Sequence, residues 1–209
     1  MLPEFLALSL LLAPLLTAAA PVELFNGKDF TGWTFDILDP AVKPEAVWSV
    51  ADGVLICKGR PPGVMRTAQE FSNYELTVEW KWPSGGKSDN SGVLVHASTR
   101  RKMFVWPKSI EVQLANGDAG DFWTIGETLT VAGSQPDGRR YVKKAGAIEK
   151  PAGEWNTAVI RCEGDKLSVK INGTLVNEAT GLSVTKGAIC LQSENGEVHF
   201  RKVVLTPLK

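Results

Sequence analysis

The sequence predicts an all-β chain folded as a single antiparallel β-sandwich, and three observations carry this reading. Apolar residues recur with period two, the spacing of a strand with one buried face, and not with the 3.6 of a helix. Turn signals built from Gly, Asn and Asp separate these runs about every 8–12 residues, as in sandwiches. The 20 Gly and 12 Pro punctuate the chain often enough for many short strands, and no convincing amphipathic helix interrupts them.

The elements follow in order. Residues 2–17 are apolar apart from Glu4, are broken by Pro14, and run into Ala18-Ala19-Ala20. That is too short for a confident membrane span. It fits a secretory signal peptide cleaved after Ala20, leaving residues 21–209 as one exported domain, secreted or periplasmic, with no membrane contact after cleavage. Strands are expected at 47–50 and 54–58 around Ala51-Asp52-Gly53, then at 74–82, where Leu76, Val78 and Trp80 share one face and Glu75, Thr77, Glu79 and Lys81 the other. Further strands are expected at 93–96, 110–114 and 122–125, with weaker ones at 127–132 and 141–144. Hairpins are expected from 155–162, 167–171 and 174–176, the second turning at Asn172-Gly173, and from 188–193 and 198–205. The sequon Asn172-Gly173-Thr174 needs no explanation beyond that turn. Residues 133–153 are irregular, polar and basic, either a plain loop or a flap over a groove.

Composition narrows the function. With 23 Lys+Arg against 23 Asp+Glu the net charge is zero, and loss of residues 1–20 makes it +1. A nucleic-acid binder needs a basic footprint, and none is present. The three cysteines, Cys57, Cys162 and Cys190, all fall in expected strands and read as buried thiols, with one disulfide as the alternative. Only two histidines exist, and no Cys or His spacing requires a metal. Seven tryptophans exceed what a core of this size needs, so some should line a surface groove.

Chemistry concentrates in Ser109-Ile110-Glu111-Val112-Gln113-Leu114. If Ile110, Val112 and Leu114 face the core, Glu111 and Gln113 project together from the other face. An ordinary glycosidase needs two carboxylates flanking the bond, and Gln113 is an amide, which disfavours one built on this strand; the fallback pair is Glu111 with Asp121. His96, at the end of Val93-Leu94-Val95-His96, is expected on the same face as Leu94, either as a satisfied structural histidine or as a general base near the polar strand. Trp80, Trp82, Trp106 and Trp123, with Lys108, Asp118 and Asp121, supply the aromatic faces and polar edges that a sugar ring needs.

Several segments together resemble the 3-keto-disaccharide hydrolase domain family. They are Leu24-Phe25-Asn26-Gly27-Lys28-Asp29-Phe30-Thr31-Gly32-Trp33, Trp48-Ser49-Val50-Ala51-Asp52-Gly53-Val54-Leu55, Asn90-Ser91-Gly92-Val93, Ile110-Glu111-Val112-Gln113-Leu114, Gly153-Glu154-Trp155-Asn156-Thr157, Ile171-Asn172-Gly173 and Gly187-Ala188-Ile189-Cys190-Leu191-Gln192-Ser193. The resemblance spans about residues 22–208 and implies a concanavalin A-like sandwich acting on glycosides already oxidised to a ketone at C3. The ketone acidifies the C2 hydrogen, so one base can remove it while the C1 substituent leaves, and water then adds back. Under this reading Glu111 and His96 are the candidate bases, and Gln113, Lys108, Trp106, Trp123, Asp121 and Gln192 bind the sugar. A divalent metal held by Glu111, His96 or Asp121 could polarise the ketone, although no spacing demands one. A non-catalytic carbohydrate-binding module and an adhesive sandwich domain are the competing readings, since fold transfers more safely than function.

Overall fold

The computed structural model describes residues 20–85 and 90–208. The segment read as a signal peptide lies outside the described residues except for Ala20. The strands in chain order are β1 (Val22–Glu23), β2 (Trp33–Ile37), β3 (Trp48–Ala51), β4 (Val54–Cys57), β5 (Gly63–Thr67), β6 (Tyr74–Lys81), β7 (Gly92–Ala97) and β8 (Ser109–Gln113). They continue with β9 (Phe122–Ile125), β10 (Arg140–Tyr141), β11 (Asn156–Glu163), β12 (Lys166–Ile171), β13 (Thr174–Ala179), β14 (Ala188–Ser193) and β15 (Val198–Pro207). One helical turn, α1 (Pro44–Val47), begins on a proline, whose missing N–H is no loss at that position.

Two antiparallel sheets pack face to face. The first runs β13-β12-β11-β6-β15-β4-β3, with β1 also paired to β15; the second runs β10-β9-β8-β7-β14-β5-β2. Across the second sheet the register aligns Phe122, Val112, Val93, Leu191, Met65 and Phe35 in one row on the core side. Leu76, Val78, Trp80, Ala158, Ile160 and Phe200 of the first sheet close over it. A fully buried side chain of this size contributes about 1.5–3 kcal/mol, so this layer dominates the stability.

The expected strands form except at 127–132 and at 141–144, where only Tyr141 is in a strand, and the turn at Asn172-Gly173 has positive φ at both residues (+48° and +85°), as a I′ hairpin turn requires. Segment 127–132 makes only an isolated bridge, Thr130 to Thr180. Strands β1, β2 and β5 and helix α1 were not expected. β5 is buried on both faces at four of its five positions, which erases the alternation that marks a strand in sequence. The three cysteines are buried free thiols. Burial pushes Cys57 up to about 11 and Cys162 and Cys190 up to about 12.

The tryptophans divide by layer. Trp33, Trp48, Trp80 and Trp82 are core residues, so the expectation that Trp80 and Trp82 form a sugar platform is corrected: both belong to the inter-sheet layer. Trp155 lies on the outer side of the first sheet beneath the cations of Lys81 (4.8 Å) and Arg201 (4.2 Å). Only Trp106 and Trp123 reach the outer face of the second sheet.

Candidate active site

The outer face of the second sheet is partly filled by a second apolar cluster, comprising Val64, Leu94, Ala97, Val105, Trp106, Ile125, Ala188 and Cys190. Beside this cluster lies a cavity of about 160 Å³ lined by Asn90, Met103, Trp106, Glu111, Gln113, Trp123, Arg139 and Glu194. A larger depression of about 300 Å³ at Arg161, Glu163, Lys166 and Glu178 is lined by charged surface side chains, two of which pair with each other (Arg161 to Glu163, 2.8 Å). Chemistry, not size, singles out the cavity beside Glu111.

Strand parity places Glu111 and Gln113 there together. Ile110, Val112 and Leu114 are fully buried in the core, as the alternation requires. Glu111 pairs in register with Trp123 on one side and Leu94 on the other, and Gln113 pairs with Gly92. The Gln113 amide oxygen accepts hydrogen bonds from the backbone N–H groups of Leu114 and Ala115, both at 2.9 Å, which leaves its NH₂ as the group presented to the cavity. On β14, Ile189 and Leu191 face the core and Cys190 the outer cluster, so Gln192 shares the outer side with Glu111.

The site is rich in unpaired polar atoms. Asn90 Oδ1, Glu111 Oε1, Trp123 Nε1 and both amide atoms of Gln192 are buried without a well-formed hydrogen bond. Leaving buried donors and acceptors unpaired costs about 1–3 kcal/mol each, and three of these atoms, on Asn90, Glu111 and Trp123, belong to residues lining the cavity. Burial pushes the Glu111 carboxyl up to about 8, and the nearby Glu194 carboxylate adds to the rise; Arg139 and the Gln192 amide oppose it. Titratable groups displaced this far and set in a cavity are typical of catalytic sites.

Not every expected residue is present. His96 is not on this face. A register irregularity lies between Ala188 and Cys190 in the pairing of β14 with β7, and His96 itself has φ +53°. The bulge breaks the alternation, so Ala97 takes the outer side and the His96 ring turns into the core. There it packs edge-on to Tyr74 (centroids 5.7 Å) with Nδ1 3.2 Å from the Val184 carbonyl. Lys108 pairs with Glu127 at 3.1 Å, outside the cavity lining. Asp121 is also elsewhere: it accepts from Arg140 Nε (2.6 Å) and from the Lys143 backbone N–H (2.8 Å), pinning the 133–153 segment to β9. Arg139 from that segment lines the cavity and stacks on Trp123 (5.4 Å), which makes the segment a wall of the site.

Glu194, Arg139, Met103 and Asn90 join the site although none was expected there; Asn90 lies in a segment that carries the family resemblance, and Arg139 in the 133–153 segment read as a loop or a flap. Glu194 reads as a turn residue in Glu194-Asn195-Gly196, and only the Asn90–Glu194 bridge reveals that the turn closes over the cavity. Among the described residues no cluster of three or more His, Cys, Asp or Glu side chains could hold a metal, and Glu111, His96 and Asp121 do not converge.

Solved structures of the same fold confirm the architecture. A protein from Parabacteroides distasonis ATCC 8503 assigned as a glycosyl hydrolase is 24% identical, with a TM-score of 0.66 over 90% of this chain and 94% of that one. The carbohydrate-binding module CBM66 from Bacillus subtilis is 13% identical, with a TM-score of 0.60 over 83% and 94%. A β-1,3-1,4-glucanase (lichenase) from a mouse hindgut metagenome is 13% identical, with a TM-score of 0.60 over 90% and 99%. No curated protein sequence matches. The profile of one family spans residues 20–206, nearly all of the described chain, and the protein therefore belongs to the 3-keto-alpha-glucoside-1,2-lyase-like domain family.

Proposed function

We propose that the protein is an exported carbohydrate-active enzyme that cleaves 3-keto-glycosides by elimination across C1 and C2, with Glu111 as the base. The observation that carries this reading is the buried Glu111 carboxyl, raised to about 8 and facing a sugar-sized cavity where Asn90 Oδ1 and Trp123 Nε1 are also buried without a hydrogen bond. A carboxylate in water is too weak a base for a carbon acid; one with a pKa near the working pH is well matched to take the proton. The ketone at C3 makes the C2 hydrogen acidic enough to be taken.

In the proposed step, Glu111 accepts the C2 proton, and the electron pair of the C2–H bond becomes the C1–C2 double bond. The C1–O bond breaks, and the departing oxygen takes up a proton. The products are the free leaving group and a 2-hydroxy-3-keto-glycal, which becomes the 3-keto sugar when water adds. The Gln113 NH₂ and the Trp123 indole N–H, both on residues lining the cavity, are donors suited to the ketone oxygen, where negative charge builds up. Glu194, as a carboxylate beside Glu111, raises the proton affinity of the base, and the leaving oxygen takes its proton from water.

Incubation of the chain with a 3-keto-α-glucoside, followed by NMR, should show the enone or the 3-keto sugar, while the unoxidised glycoside stays intact. Deuterium at C2 should slow the reaction or exchange into water. Equal cleavage of the plain glycoside, or full retention of C2 deuterium, would refute elimination. Binding without turnover would instead support a carbohydrate-binding module. Export predicts a mature N-terminus at Pro21, and N-terminal sequencing of envelope or medium protein tests it.

A further inference from the structure

The hairpin joining β7 to β8 ends in a turn that breaks a residue preference. The Met103 N–H donates to the Trp106 carbonyl (3.2 Å) and the Trp106 N–H to the Met103 carbonyl (2.9 Å), closing a two-residue turn over Phe104 and Val105. Phe104 has φ +58°, the positive value that II′ turns place at their first central residue, where glycine is the usual occupant. A bulky side chain there costs of order 1–3 kcal/mol, and such strain persists at sites of function. Val105 is fully buried in the outer cluster and anchors the turn, while Phe104 is 59% exposed, the most exposed large apolar side chain among the described residues. The hairpin is held firmly: Arg101 donates to Asp36 (2.7 Å) and to the Ile37 carbonyl (2.9 Å) of β2. The exposure of Phe104 is therefore fixed by the fold.

The position of this ring relative to the cavity gives it a use. Phe104 is edge-on to Trp106, with centroids 6.3 Å apart and planes at 68°. Trp106 and Met103, on either side of it in the turn, both line the cavity. At about 160 Å³ the cavity has room for about five waters and falls below the roughly 300 Å³ at which sites for drug-sized ligands begin. One pyranose ring fits; the rest of a glycoside must lie outside.

We propose that Phe104 is the platform for the leaving group: the ring beyond C1 stacks its C–H face on Phe104 while the oxidised ring occupies the cavity. This assignment rests on the elimination reading above and adds a specificity to it, for disaccharides and aryl glycosides over glycosides of small alcohols. The turn presents an aromatic face at a fixed angle outside the cavity, and a small alcohol has nothing to place on it.

Two substrates and two variants test the assignment: 3-keto-maltose, with the ketone on the non-reducing ring, and methyl 3-keto-α-glucoside, each with the wild-type chain, Phe104→Ala and Phe104→Trp. Phe104→Ala should lower kcat/KM for 3-keto-maltose about three- to tenfold, the range of one aromatic contact, and leave the methyl glycoside unchanged. Phe104→Trp should restore the disaccharide rate. Equal loss on both substrates would mean that Phe104 only shapes the turn, and no loss on either would mean that the second ring lies elsewhere; each overturns the proposal and leaves elimination standing. If the wild-type chain cleaves neither substrate, the elimination reading falls and the leaving-group platform falls with it.

Discussion

Glu111 lies across Gly92: a methyl group on that glycine would stand 2.5 Å from Glu111 Oε1 and 2.9 Å from its Cγ. The two residues sit on neighbouring strands, Gly92 opposite Gln113 and two positions from Leu94, the partner of Glu111. The missing side chain is what lets the carboxyl lean over β7 toward Gln192.

Gly92→Ala therefore displaces the carboxyl without disturbing a turn, since the Gly92 backbone is not in the left-handed region. A catalytic group misplaced by about 1 Å costs on the order of 10²-fold. The variant should keep its circular dichroism spectrum and lose about that factor in kcat. Full activity in Gly92→Ala would show that the orientation of Glu111 does not matter.

The pH dependence of stability follows from the same carboxyl. The Glu111 carboxyl titrates at about 8 in the fold against an ordinary value of 4.5, so the folded state holds its proton more tightly than the unfolded state does. Its contribution is fully present below pH 4.5 and is lost as the pH rises through about 8, with a slope of up to about 1.4 kcal/mol per pH unit. Urea denaturation from pH 5 to 9 should show this decline, and Glu111→Gln should flatten it. The same variant should abolish cleavage while melting no lower than wild type at pH 9.

Glu194 and Arg139 act on Glu111 with opposite sign, Glu194 raising its pKa and Arg139 lowering it. If ionised Glu111 is the base, kcat/KM rises with pH through its titration. Glu194→Gln should move that rise to lower pH and Arg139→Gln to higher pH. A pH–rate series on the three proteins checks the signs, and shifts in the same direction would show that neither residue acts through Glu111.

The sandwich could be read from the sequence wherever one face of a strand is wet. In β6 and β11 buried and half-buried residues alternate along the strand, which is what makes such strands visible to periodicity. β5 was invisible because both its faces are covered. The pair Glu111 and Gln113 was legible because Ile110, Val112 and Leu114 fix the parity of β8. His96 was misplaced because one bulge inverts parity, and nothing in Val93-Leu94-Val95-His96 announces the bulge. Glu194 and Arg139 were missed for a different reason. They reach the cavity from a turn and a loop, and their position depends on long-range pairings, β9 with β10 and Asn90 with Glu194, that no local pattern encodes.

The buried imidazole yields a stability effect separable from catalysis. Burial holds the His96 pKa below its ordinary 6.5, opposed by the Val184 carbonyl and by Glu127, and Nε2 is buried without a partner. The folded state therefore resists a proton that the unfolded state accepts. Stability is intact above pH 6.5 and is lost as the pH falls below it, by at most about 1.4 kcal/mol per pH unit. Asparagine tolerates the left-handed backbone at this position and does not titrate in this range, so His96→Asn is the informative substitution. Denaturation at pH 7 and pH 5 should show wild type losing stability on acidification through this group and His96→Asn losing less. Because the ring points at Tyr74 and away from Glu111, His96→Asn should retain cleavage at pH 7. Loss of turnover in a variant whose melting temperature is unchanged would place the imidazole back in the reaction.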